Sequence, residues 1–239
     1  MKKQLPVFTN KTDIRLGFEI ECVICGVKGD RNVERNPNFG KFQREIYALK
    51  KGVTIGDDGS INTYGYGSCT RSAEIRTRPL PPKDAMEVLK AVFDIVNKYG
   101  LTNASCGLHV NISSAHKTKM RNFNPLPFLS SRLWDQILKS FNRSGNTFCR
   151  TVLSVNGRKV SKIRIFKNLT STFDDKYRCV SLCHFGNGGD KSSRIEIRGF
   201  GNRDYTKKFD TIARYVKRIE RLFKLSCGNT IPLTRTFQV

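Results

Sequence analysis

Along Arg194-Ile-Glu-Ile-Arg-Gly-Phe200 apolar and polar residues alternate. A β-strand there places Ile195, Ile197 and Gly199 on one side and Arg194, Glu196, Arg198 and Phe200 on the other. Two earlier stretches divide in the same way. In Leu16-Gly-Phe-Glu-Ile-Glu21 the apolar set is Leu16, Phe18 and Ile20, opposite Glu19 and Glu21; in Leu108-His-Val-Asn-Ile112 it is Leu108, Val110 and Ile112, opposite His109 and Asn111. Ala73-Glu-Ile-Arg-Thr-Arg78 repeats the design with Glu74, Arg76 and Arg78 on one face. The pattern predicts one antiparallel sheet with a packed face and a polar face. A polar face is ordinarily a wetted one, but acids recurring at i, i+2 are unexpected where basic residues predominate. Two carboxylates about 5 Å apart repel by roughly 3 kcal/mol at an effective dielectric near 20, so converging acids call for a cation between them.

The remaining pattern fills in around these strands. Residues 26–39 read as a loop, 42–49 as a short helix and 54–61 as a strand running into an Asp58-Gly59 turn. Pro81-Pro82 opens a helix to Tyr99 with a stripe of Met86, Leu89, Val92, Phe93 and Val96, stopped at Gly100. Residues 115–127 read as a basic loop and 129–141 as a helix with Leu133, Trp134, Ile137 and Leu138 inward. Further strands are expected at 150–155, 162–167 and 177–185. A glycine-rich turn follows at 185–190, either a hairpin connection or a loop offering amides to phosphate. The last helix, 206–225, buries Phe209, Ile212, Val216, Ile219 and Phe223 and turns Lys207, Arg214, Lys217, Arg218 and Arg221 outward. Strands arrive in groups separated by helices, so the expected class is α+β. It is read as a single domain over 1–239, with an excursion at about 26–52 and a basic C-terminal helix at about 206–225.

Charge changes the picture more than composition does. The chain has 43 Lys and Arg against 20 Asp and Glu, a net charge of +23, and its sequence from Arg158 onward has 19 basic and 7 acidic residues. Such an excess points to an anionic partner, nucleic acid or another polyanion, with a merely solvated basic surface as the plain alternative. No apolar run is long enough to span a bilayer and the N-terminus lacks a secretory pattern, so no membrane association and a cytoplasmic location are expected. Eight cysteines without a secretion signal suggest reduced, mostly buried thiols. Cys22 and Cys25 with Cys179, Cys183 and His184 leave a structural zinc site open as the alternative.

Five blocks occur in order: Gly17-Phe-Glu-Ile-Glu21, Asp58-Gly-Ser-Ile61, Glu74-Ile-Arg-Thr-Arg-Pro-Leu80, Ser105-Cys-Gly-Leu-His-Val110 and Arg194-Ile-Glu-Ile-Arg-Gly-Phe200. Together, over roughly residues 14–205, they resemble the amidoligase family, which is related to carboxylate–amine ligases of the glutamine synthetase and glutamate–cysteine ligase fold. The resemblance implies a curved antiparallel sheet with helices on its convex face and ATP with Mg²⁺ or Mn²⁺ on its concave face. It implies a reaction in which ATP phosphorylates a carboxylate and an amine displaces the phosphate. Carried over by position, Glu19, Glu21, Glu74, His109 and Glu196 become metal ligands. Arg198 faces the transferring phosphoryl, and His109, Arg143 and Arg178 join it in contacting nucleotide. Arg198, Glu196 and Asn111 form the expected catalytic set. The family usually reads Gly-Leu-His-Val-His where this chain has Asn111, which can hydrogen-bond a ligand but cannot act as a base.

The chemistry of the residues agrees with what the resemblance implies. Carboxylates with one imidazole suit Mg²⁺ or Mn²⁺ better than Zn²⁺. Phosphoryl transfer asks mainly for positioning and charge neutralisation, which metals and an arginine supply. The sequence therefore predicts an ATP-dependent carboxylate–amine ligase, with a non-catalytic nucleic-acid-binding or assembly protein and a metal-dependent nuclease as alternatives.

Overall fold

The computed structural model describes residues 4–25, 37–49, 51–64, 70–146, 149, 154–155, 158–159, 177–182, 184 and 193–228. The expected strand at 162–167, the glycine-rich turn at 185–190 and Cys183 lie outside them. The class is α+β. An open antiparallel sheet is built from β1 (Ile14–Ile24), β2 (Val53–Gly56), β3 (Arg71–Thr77), β4 (Gly100–Leu101), β5 (Gly107–Ser114), β8 (Val180–Ser181) and β9 (Ile195–Gly201). Its order is β2-β3-β1-β5-β9-β8, with β4 pairing the end of β1. A separate hairpin joins β6 (Ser154–Val155) to β7 (Arg158–Lys159). The helices are α1 (Pro37–Ala48), α2 (Pro82–Tyr99), α3 (Lys117–Arg121), α4 (Pro125–Leu129), α5 (Leu133–Ser140) and α6 (Phe209–Cys227), the last entered through a 3₁₀ turn at Tyr205–Lys208.

The core lies where alternation puts it. Leu16, Phe18 and Ile20 of β1, Leu108, Val110 and Ile112 of β5, and Ile195 and Ile197 of β9 are all buried in one cluster with the helices. α2 contributes Met86, Leu89, Val92, Phe93 and Val96, the expected stripe. α6 contributes Ile212, Val216, Ile219 and Phe223, while Phe93 packs edge-on against Tyr205 and Phe209.

The polar positions form a grid across four strands. Glu74 of β3 stands opposite Glu21 of β1, and Arg76 opposite Glu19. On the other side of β1, Glu19 faces His109 and Gly17 faces Asn111. Asn111 in turn faces Glu196 of β9.

The alternation of β9 breaks at one point, and the expected placement of Phe200 is corrected there. Val110 pairs with Ile197 but Leu108 pairs with Phe200, so Arg198 and Gly199 both stand opposite His109. This β-bulge adds one residue to β9. It leaves Arg198 beside Glu196. Phe200 turns into the core, where its ring meets Phe141 and Tyr215.

Helix boundaries differ from expectation for local reasons. α1 begins at Pro37, five residues before the expected start at Phe42; proline suits a first helical turn, so part of the supposed loop is helix. The segment 115–127, expected as loop, contains α3 and the start of α4. The expected helix 129–141 is two pieces. Asn124 caps α4 by accepting from the Leu126 amide and Pro125 follows it, while Ser131 Oγ accepts from the Leu133 amide to open α5. The basic face of α6 is partly self-neutralised: Lys217 and Lys224 pair with Glu220, which is 1% exposed, and Lys207 pairs with Asp204. The expected strand at 177–185 is confined to Val180–Ser181 among its described residues.

Candidate metal centre on the polar face

His109 sits at the centre of the grid. It is 5% exposed, and its Nδ1 lies 3.0 Å from Glu19 Oε2 and 3.1 Å from Glu196 Oε1. Its Nε2 looks the other way, 3.5 Å from Glu21 Oε1. Two strands, β1 and β9, thus deliver three carboxylates to one imidazole on the strand between them. The surrounding groups orient them. Asn111 Nδ2 donates to Glu19 Oε1 at 3.1 Å and its Oδ1 accepts from Arg194 Nε at 3.0 Å. Arg198 Nη1 donates to Glu196 Oε1 at 2.7 Å. The Gly107 amide donates to Glu21 Oε2 at 2.6 Å. Glu74 is held by Arg76.

Two glycines border this crowding, Gly201 under the stricter demand. A Cβ on Gly107 would come within 3.2 Å of both Glu21 Oε2 and His109 Nε2. Its partner Gly201 has φ +135°, and a Cβ there would meet Arg143 Nη1 at 2.1 Å and the Cys106 carbonyl at 2.5 Å.

The electrostatics follow from burial opposed by pairing. Burial works against the imidazolium of His109, but hydrogen bonds to Glu19 and Glu196 outweigh it and push the pKa up to about 9. Burial likewise works against the Glu196 carboxylate, and the bond and charge of His109 with the charge of Arg198 outweigh it, holding Glu196 down to about 2. Glu19 is lowered in the same way, His109 overcoming desolvation. Glu74 goes up, because burial exceeds what Arg76 returns.

One group of metal-ligating side chains stands out among the described residues: Glu19, His109 and Glu196, whose donor atoms all lie within 4.8 Å of one another. The donors fit a divalent ion, which would take the place of the His109 proton and hold two anionic oxygens that otherwise share it. Glu21 and Glu74 stand outside this group. Glu21 lies on the far side of the His109 ring, its Oε1 3.5 Å from Nε2.

The structure brings together Glu19, Glu21, His109, Asn111, Glu196 and Arg198, with Glu74 in register beside Glu21. Arg143 is buried and directed elsewhere: its Nε donates to Cys149 Sγ at 3.2 Å and its Nη1 to the Cys106 carbonyl at 3.0 Å. Arg178 is half-buried just before β8. Two contributors were assigned no role at the sheet face by the sequence pattern. Arg194, two residues before Glu196, holds Asn111. His184 Nε2 lies 3.9 Å from Glu196 Oε2. Strand alternation points to Arg194, and the expected hairpin from 177–185 brings His184 toward β9 without marking it as a neighbour of Glu196. As to the cysteines, Cys22, Cys106, Cys149, Cys179 and Cys227 are buried free thiols and Cys25 is half-buried; burial pushes the Cys22 and Cys179 thiols up. The metal group contains none of them.

Compared with known protein families and with curated proteins, the sequence matches none. Among solved structures the chain is similar to a crystal structure of a novel glutamine synthase homolog, at 12% identity and a TM-score of 0.43. That likeness covers 92% of this chain and 57% of the other, so this chain spans little more than half of that protein's length. A likeness of this size decides neither fold nor activity. Among the described residues, no helix is long and apolar enough to cross a membrane.

Proposed function

We propose that the chain is an ATP- and divalent-metal-dependent carboxylate–amine ligase, with its site on the polar face of the sheet around His109. The observation that carries this reading is the meeting of Glu19, His109 and Glu196 from three strands, with Arg198 fixed two residues along from Glu196. In this reading Glu19, His109 and Glu196 hold the ion, and Glu21 and Glu74 extend the acidic field on its β3 side. A bound Mg²⁺ or Mn²⁺ would supply charge neutralisation for the phosphates of ATP.

The chain's own residues do the positioning. Arg198 is held by Glu196 through Nη1, its buried Nε has no hydrogen-bond partner among the described residues, and the exposed fifth of its side chain is the part that would meet a phosphoryl oxygen. Asn111 keeps Glu19 turned toward His109 by bonding its other oxygen. The expected chemistry transfers the terminal phosphoryl of ATP to a carboxylate; the amine then attacks the acyl carbon, forms the amide and releases phosphate. The net charge of +23 favours a substrate carried on a polyanion, nucleic acid included.

The test is calorimetric binding of ATP with Mg²⁺ or Mn²⁺, paired with a phosphate-release assay. Wild-type protein is expected to bind the nucleotide and release phosphate slowly. Glu196→Gln is expected to lower metal-dependent binding by about tenfold or more and to remove turnover. Wild-type protein that neither binds nor turns over ATP with either ion overturns the ligase. Salt-sensitive nucleic-acid binding that survives Glu19→Gln and Glu196→Gln would then favour the non-catalytic alternative. Breakage of DNA or RNA with Mn²⁺ would favour a nuclease.

A further inference from the structure

The carboxylate of Glu196 is addressed on both oxygens. Its Oε1 accepts from Arg198 Nη1 at 2.7 Å and lies 3.1 Å from His109 Nδ1; its Oε2 lies 3.9 Å from His184 Nε2. His184 is tethered by its backbone, since its carbonyl accepts from the Arg194 amide at 3.2 Å, two residues before Glu196. Its side chain is 43% exposed, so the ring has room to turn. We infer that His184 is a fourth ligand of the Glu19–His109–Glu196 centre, and that this centre selects an ion of the Zn²⁺ or Co²⁺ class over Mg²⁺. The inference rests on the proposed reading only for the location of the metal.

Donor spacing and donor chemistry support it. Around a four-coordinate ion with bonds of about 2.1 Å, neighbouring donor atoms stand about 3.4 Å apart. His109 Nδ1 stands 3.0 and 3.1 Å from Glu19 Oε2 and Glu196 Oε1, just inside that value, while His184 Nε2 approaches the other oxygen of Glu196 at 3.9 Å from outside the three-residue group, on a ring exposed enough to turn toward it. His109 is prepared to offer Nδ1: its Nε2 faces Glu21 Oε1, and Glu21 is pinned through its other oxygen by the Gly107 amide. A carboxylate on the far nitrogen of a ligating histidine fixes the tautomer and the ring, as at zinc centres. Two imidazoles and two carboxylates suit Zn²⁺ and Co²⁺, with Mn²⁺ behind them in affinity, whereas Mg²⁺ favours oxygen donors and retains its waters.

The experiment uses the full chain, stripped with a chelator and titrated with ZnCl₂, CoCl₂ or MgCl₂ without nucleotide, with affinities from calorimetry and the visible spectrum of the Co²⁺ form. Wild-type protein is expected to bind Zn²⁺ and Co²⁺ far more tightly than Mg²⁺. His184→Ala, a change at an exposed side chain, is expected to weaken Zn²⁺ by about tenfold or more, alter the Co²⁺ visible bands and leave Mg²⁺ binding unchanged. Unchanged Zn²⁺ affinity and Co²⁺ spectrum in His184→Ala overturn the inference. So does equal affinity for Mg²⁺ and Zn²⁺, or a thiolate-to-cobalt charge-transfer band placing the ion on cysteine. The two readings separate cleanly. Zn²⁺ binding through His184 without ATP turnover keeps this inference and removes the ligase; metal-dependent ATP turnover in the wild type together with an unchanged Zn²⁺ affinity in His184→Ala does the reverse.

Discussion

Replacing His109 with alanine is expected to remove about 3 to 5 kcal/mol from the stability of the metal-free protein at pH 7, the scale of breaking a buried ion pair by removing one partner. The imidazolium lies within 3.0 to 3.5 Å of Glu19, Glu21 and Glu196, and without it Arg198 is left as the partner of Glu196. The pH window over which stability is lost should move to lower pH. In the wild type, His109 is raised from 6.5 to about 9, so its contribution is complete below pH 6.5 and is lost as pH rises through 9. Glu196 is lowered from 4.5 to about 2, so its contribution is complete above pH 4.5 and is lost as pH falls through 2. These are two sides of one interaction and give a plateau between pH 4.5 and 6.5. In His109→Ala the crowded carboxylates take up a proton more readily when folded than when unfolded, so stability should rise as pH falls from 7 toward 5. Urea unfolding at pH 5, 7 and 9 in chelator reads both effects. Parallel pH curves for the two proteins, or equal midpoints at pH 7, would show that the three carboxylates do not depend on this imidazole.

The polar grid could be read in the sequence because β-strand alternation is a local property. Glu19 with Glu21, His109 with Asn111 and Glu196 with Arg198 each share a face through i, i+2 spacing alone, and antiparallel pairing in register then sets Glu19 opposite His109 and Asn111 opposite Glu196. α2 was legible for the same reason, with a 3.6-residue stripe between a proline and a glycine. Features that depend on a distant partner were not. Arg143 is expected from the resemblance to contact nucleotide, and nothing in the sequence signals that Cys149 and the Cys106 carbonyl take up its Nε and Nη1. His184 comes near Glu196 through the pairing of β8 with β9; the hairpin reading of 177–185 allows that pairing but does not fix its register.

Phe200→Ala is expected to cost about 3 to 5 kcal/mol, the range for emptying a buried aromatic site. Strict alternation from Ile195 puts Phe200 on the polar face beside Glu196 and Arg198, where truncation would matter little. The bulge reverses this: with Arg198 and Gly199 together opposite His109, Phe200 falls opposite Leu108, and its fully buried ring stands 5.3 Å from Phe141 and 6.3 Å from Tyr215. Gly199 fits because a Cβ there would lie 2.7 Å from Cys179 Sγ and 3.0 Å from a methyl of Ile137. The same extra residue lets one short strand serve both purposes, keeping Arg198 on Glu196 while the next large side chain enters the core. Urea midpoints at pH 6 for Phe200→Ala and for Arg198→Ala measure this division. A loss below about 0.5 kcal/mol for Phe200→Ala, the scale of an ordinary surface substitution, would mean that β9 runs without the bulge and that Arg198 does not share the face of His109 in the way described.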